Sequence, residues 1–203
     1  MKLKNLVLFL IIICTVPLTA RAQDTITCFS HSESEKKTKR VSKNLKPILS
    51  GHWTENPNII LCKESGVTEQ RLNRSLSYWK KLGYSFGNIT ISKNPIECFN
   101  GGPSGTISII LTTQEIGFNQ IAVTRTFKNT KTKEIQKAIV FMNPAAAEKT
   151  LVLEHEIGHA LGWDHYQSKY HIMNKHYENI GHNSSGLRYS MYMTKSSMLK
   201  HLK

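Results

Sequence analysis

The chain has 203 residues, with 27 Lys and Arg against 14 Asp and Glu and 39% hydrophobic residues. That balance is too apolar and too mixed for a disordered chain, and no Gly-X-Y or heptad period marks a fibrous one. The length suits one domain with a core of its own.

Residues 1–22 read as a signal peptide that is removed. Lys2 and Lys4 form a basic start, Leu6 to Cys14 is an unbroken apolar run, and Ala20-Arg21-Ala22 is a cleavage signature before Gln23. The run is too short to span about 30 Å of hydrocarbon, and Ile13 stands where lipid attachment to Cys14 would want a small residue. Export is therefore expected, to the extracellular space or a periplasm. Cleavage takes away Lys2, Lys4 and Arg21 and no acid, leaving 24 basic and 14 acidic residues, a net charge of +10. Such a charge favours acidic surfaces or polymers. Apart from Lys36-Lys37-Thr38-Lys39-Arg40 the cations are scattered, so no specific nucleic-acid partner is expected. A monomer is expected.

Residues 23–56 are polar and Lys-rich and read as an irregular lead segment, a candidate short propeptide, ahead of one folded domain over 57–203. Ile59 to Cys62 predicts a buried strand. Thr68 caps a helix to about Leu82, with Leu72, Leu76 and Trp79 on one face and Gly83 as its stop. Strands follow at Phe86–Ser92, at Thr106–Thr112 (apolar except for Ser108), at 121–128 and at Ile135–Met142. In the third of these Ile121, Val123, Arg125 and Phe127 alternate with Ala122, Thr124 and Thr126, as in a half-exposed strand. Asn143-Pro144 predicts the start of a long helix, and a last helix is expected over about 186–202, where Leu187, Met191 and Met198 could dock. The order describes an α+β fold, a mixed sheet with helices packed on it. Three cysteines remain after cleavage, and the simplest pairing joins Cys62 to Cys98 and leaves Cys28 free.

The chemistry lies in His155-Glu156-Ile157-Gly158-His159-Ala160-Leu161-Gly162-Trp163-Asp164-His165. His155 and His159, four apart on a helix, present their imidazoles on one face, close enough to share a zinc ion at about 2.0–2.1 Å. Gly162 permits a sharp turn that brings His165 back as a third ligand and leaves one position for water. Three neutral imidazoles keep the metal dipositive and its water acidic. Glu156 is placed to take the proton of that water and hand it to a leaving amine. One catalytic zinc and hydrolysis of protein or peptide substrates are thus expected, and the added Gly162 and His165 make the pattern far more specific than two histidines and a glutamate alone. Glu154 and Asp164 read as solvated residues or supports of the ligands, Trp163 as helix-end packing, and His171, His176 and His182 as surface or supporting histidines.

These residues resemble the metzincin clan of zinc endopeptidases, whose signature H-E-x-x-H-x-x-G-x-x-H is followed by a Met-turn. Met173, eight residues after His165, stands where that methionine would, and this spacing is most similar to the matrixins. The resemblance implies a metzincin-like mixed, twisted sheet, an active-site helix and a small C-terminal helical subdomain, with an extended substrate added to a sheet edge, for which 121–128 is the candidate. The chain departs from the pattern at Tyr166, where Ser is usual, and at Asn174-Lys175, which replaces Tyr-Pro and alters the wall of the S1′ pocket. No histidine lies between His52 and His155 to bind a second, structural zinc. Calcium loops and the P-R-C-G propeptide switch are not recognisable; Cys28 offers an alternative thiolate for the zinc, released by cleavage near Arg40. The competing reading is a basic, zinc-containing binding protein of the same fold without turnover. Its support is the charge of +10, and an intact Glu156 argues against it.

Overall fold

In the computed structural model, residues 46–111 and 120–189 are described here. Five strands form one sheet in the order β2-β1-β3-β5-β4: β1 (Asn58–Cys62), β2 (Ile89–Ser92), β3 (Thr106–Leu111), β4 (Ala122–Lys128) and β5 (Ile135–Met142). β1, β2, β3 and β5 run parallel, and β4 lies antiparallel on the edge beside β5. The expected α+β architecture, a mixed sheet carrying helices, is present.

Alternation along the central strands separates two cores. Ile59, Leu61, Ile107, Ile109, Ala138, Val140 and Met142 face α1 (Glu69–Lys81) and α3 (Val152–Ala160). Ile60, Cys62, Ile110, Ile139 and Phe141 face the other way with Cys98 of the short α2 (Pro95–Phe99). Cys62 and Cys98 are joined by a disulfide, the pairing expected from the sequence. Ser108, the polar interruption of β3, is fully buried and donates to the Gly101 carbonyl at 2.8 Å, so it breaks the apolar run without leaving an unpaired group.

α1 forms as its sequence dictates. Thr68 Oγ1 accepts from Arg71 N–H at 3.1 Å, Leu72, Leu76 and Trp79 are buried, and the chain turns at Gly83 with φ of +95°. Other elements depart from expectation. The strand predicted over 86–92 pairs only from Ile89, because Gly87 and Asn88 bond instead to the Pro57 carbonyl and the Asn58 side chain. α2 was not predicted: five residues are too few to show a helical period, although Asn94 caps Ile96 N–H in plain view. The long helix expected from Asn143-Pro144 is a single 3-10 turn, Pro144–Ala146, capped by Asn143; the helix proper starts only after Leu151, whose φ of +65° breaks the run. Of the helix expected over about 186–202, residues 186–189 are not helical, Gly186 having φ of +86°; Leu187 is fully buried, as expected of a docking residue, and Met191 and Met198 lie outside the described residues.

Residues 48–53, assigned by composition to the lead segment, are bound to the domain. Ser50 N–H donates to the Gly162 carbonyl (2.8 Å), Asp164 N–H to that of Ile48 (3.0 Å) and Ile135 N–H to that of His52 (2.7 Å), while the Trp53 indole donates to the Ala160 carbonyl (2.8 Å). Backbone groups supply most of this attachment, which a search for apolar periodicity does not detect. Among the described residues no helix is long and apolar enough to cross a membrane.

Candidate active site

α3 carries His155 and His159 one turn apart, and the turn at Gly162 (φ +101°) delivers His165 to them. A side chain at 162 is excluded twice over, by that φ and because its Cβ would lie 2.1 Å from the Gly51 carbonyl oxygen. The Nε2 atoms of His155 and His159 are 3.0 Å apart, and those of His159 and His165 are 3.1 Å apart. Backbone carbonyls set the tautomers of the first two. His155 Nδ1 is 2.7 Å from the Ile172 oxygen and His159 Nδ1 is 2.7 Å from the Trp163 oxygen. A carbonyl only accepts, so each Nδ1 carries the proton and each Nε2 turns a lone pair toward its neighbours. Lone pairs facing one another at this range are stable around a cation, and the spacing is close to the edge of about 3.3 Å of a tetrahedral zinc site. Three nitrogen donors therefore fit zinc. Among the described residues these three histidines are the group arranged to hold a metal. Burial pushes the pKa of His155 down to about 4, against a smaller raising effect of its bond to Ile172, which keeps the ring neutral and ready to ligate.

Glu156 does not turn toward solvent. It is buried, and burial pushes its carboxyl up to about 7 despite the opposing hydrogen bond from Thr124 of β4, whose hydroxyl donates to Oε2 at 2.6 Å. Met173 is fully buried beneath the histidine pair's helix, and a Cβ on Gly158 would lie 2.4 Å from its sulfur. The glycine inside the motif is thus what lets the Met173 turn approach.

A family model described as Matrixin matches residues 52–190. The chain belongs to the matrixins. The family uses a catalytic zinc and cleaves peptide bonds, so the chain is a zinc metallopeptidase of protein or peptide substrates, and His155, His159 and His165 fit that zinc. No curated protein matches the chain.

This matrixin holds its zinc helix by residues the sequence did not flag. α3 begins without a side-chain cap. Its first turn is held by Arg71 of α1, which pairs with both oxygens of Glu154 (2.7 and 2.6 Å), bonds Ser75, and reaches the Lys149 carbonyl at 3.3 Å. The Trp79 indole donates to the Glu154 carbonyl at 2.8 Å. Glu154 is therefore not a solvated residue; it supports the ligand next to it. The signal was present in α1, where Arg71 and Ser75, one turn apart, lie among the apolar positions. Thr124 and Arg71 carry no motif and were read only as strand and helix residues.

The segment after His165 is tied down in the same way. Trp163 is buried and its indole donates to the Tyr84 hydroxyl at 2.8 Å, as suits helix-end packing. His171 is buried and braces the Met173 turn: its Nδ1 accepts Met173 N–H at 3.1 Å and its Nε2 donates to the Ser185 carbonyl at 3.1 Å. Asn174 is buried where the family usually has Tyr; it donates to the Ser168 carbonyl (2.9 Å) and accepts His176 N–H (2.9 Å), shaping the loop with a side-chain clamp. His176 and His182 are exposed and do not join the trio. Cys28 lies outside the described residues.

Proposed function

We propose that this matrixin is an exported zinc endopeptidase in which Glu156 is the general base of peptide-bond hydrolysis. The reading is carried by a buried carboxyl of raised proton affinity, one residue from the first of three converging imidazoles. His155, His159 and His165 hold the metal through Nε2. When bound, zinc supplies a Lewis acid that polarises the substrate carbonyl and acidifies water. Glu156 removes a proton from the attacking water and returns it to the leaving amine, a task suited to a carboxyl that titrates near neutrality. β4, the sheet edge beside α3, takes the substrate as an added strand, so that backbone bonds bind it and many side chains are tolerated. Residues 1–22 direct export, and the charge of +10 that remains draws the enzyme to acidic surfaces.

The test is hydrolysis of an unstructured protein by zinc-loaded residues 41–203, beside Glu156→Ala at matched zinc content and beside the parent treated with a chelator. Cleavage by the first alone is expected, with a loss of about 10²- to 10⁴-fold in the variant. Failure of both proteins to cleave, with zinc bound and the fold intact, would favour the binding protein without turnover, whose association with acidic polymers would weaken steeply with salt.

A further inference from the structure

Thr124 stands in β4 and reaches across to α3. Its hydroxyl oxygen is 2.6 Å from Oε2 of Glu156 and 3.1 Å from the backbone carbonyl oxygen of the same residue. A hydroxyl has one proton, so it donates to one of the two at a time. An ionised carboxylate is the stronger acceptor, and the contact to it is the shorter one. Among the described residues no other side chain bonds to the Glu156 carboxylate, which is 6% exposed. The two oxygens of that carboxylate are thereby made unequal.

We propose that Thr124 is a positioning residue for hydrolysis: its hydroxyl anchors Oε2 of Glu156 and leaves Oε1 as the oxygen that takes the proton from water. The inference rests on the general-base reading given above. In the first step an O–H bond of the attacking water breaks and an Oε1–H bond forms, the water oxygen bonds the carbonyl carbon and the C=O π pair moves onto the carbonyl oxygen, while the Thr124 hydroxyl keeps its bond to Oε2. In the second that pair re-forms the C=O bond, the C–N bond breaks with its electrons going to nitrogen, and the Oε1–H bond breaks as an N–H bond forms on the leaving amine. The carboxyl need not rotate between the two transfers, since Oε2 stays tethered throughout. The tether comes from the strand assigned to substrate pairing, so the base and the peptide share one reference frame. An apolar side chain at 124 would leave a buried carboxylate free to swing, and proton transfer depends steeply on alignment.

The experiment compares the zinc-loaded wild-type protein with Thr124→Val, Thr124→Ser and Glu156→Gln. In Thr124→Val, kcat should fall about 10- to 100-fold with KM within about twofold, and the zinc dissociation constant should not move. Thr124→Ser, which keeps the hydroxyl, should recover most of the loss. Independently of turnover, the carboxylate stretching band assigned to Glu156 by its absence in Glu156→Gln should shift in Thr124→Val. Should Thr124→Val not fold, Thr124→Cys, with a weaker donor of similar size, should show an intermediate kcat and band position. A Thr124→Val protein with lower Tm but wild-type kcat would overturn the inference and leave Thr124 as a partner that merely satisfies a buried group. An unshifted band, or a rise in KM alone, would overturn it as well. Activity surviving in Glu156→Gln would instead remove the general-base reading, and the inference with it.

Discussion

On one face of the sheet, Ile60, Ile110, Ile139 and Phe141 pack beside a disulfide that ties β1 to α2. On the other, α3 is held against the sheet and α1 by a buried ion pair, an indole on a carbonyl and a hydroxyl on a carboxylate. The first face is secured by that bond, by apolar contact and by Ser108 on the Gly101 carbonyl, none of which ends at or next to a histidine of the trio. The second adds to its apolar core directional polar bonds, each ending at or next to a residue of the histidine motif. The disulfide fixes β1 to α2, away from the motif, whereas hydrogen bonds to His155, Glu156 and their neighbours both stabilise and orient the motif's own side chains. Damage to the two faces should therefore separate stability from activity.

The largest contrast is expected at Glu156. Glu156→Gln should lower kcat/KM by about 10²- to 10⁴-fold while zinc content, measured by metal analysis, stays at one ion per chain. Next is Arg71→Met, which strands the Glu154 carboxylate among buried groups. It should cost about 3–5 kcal/mol of unfolding free energy in a urea titration and weaken zinc binding at the same time. The paired change Arg71→Leu with Glu154→Leu should regain much of the stability but not the zinc affinity, because the charge is removed yet the aim of α3 is not restored. Removing the disulfide by Cys62→Ser with Cys98→Ser should cost about 3–4 kcal/mol, from a loop of 36 residues, and leave kcat unchanged at low temperature. A weakening of zinc binding as large as that of Arg71→Met would erase the distinction between the faces.

The smallest effect is one of pH in the zinc-free protein. Glu156 binds its proton more tightly when folded, since burial raises it from 4.5 to about 7, so the stability it contributes is complete below about pH 4.5 and lost as pH rises through 7. His155 has the opposite sign: burial lowers it from 6.5 to about 4, so its contribution is present above pH 6.5 and lost as pH falls toward 4. Calorimetry of the chelated protein should show Tm of the wild type dropping relative to Glu156→Gln between pH 5 and 8, by a difference worth on the order of 1–3 kcal/mol. A constant gap would mean that Glu156 is solvated in the zinc-free state.

The histidine trio that fits zinc was legible because a metal imposes its spacing on the chain: His155, His159 and His165 can be read without knowing the sheet. The core strands were legible for a similar reason, alternation or an unbroken apolar run. Thr124 was not, since what matters is the α3 residue it meets, 32 positions away. Arg71 was hidden likewise, its partner lying 83 residues on. The misplaced start of α3 has a different origin. Asn143-Pro144 satisfies a local capping rule, but Leu151 takes a left-handed conformation that no local preference of leucine favours. Packing decides there, with Val152 and Leu153 buried behind it.

The contact between Gly51 and Gly162 sets a limit on how the N-terminus can be trimmed. Backbone of the incoming strap fills the space that a β-carbon would take at the turn before His165, and Ser50 and Ile48 bond Gly162 and Asp164. A new N-terminus anywhere from Gln23 to Lys46 leaves that strap in place. A cut beyond Ser50 would uncover the turn, release two of its backbone bonds and let the third imidazole drift from the other two. The strap thus works as a wedge, and the aim of the third imidazole depends on backbone more than a hundred residues upstream of the motif.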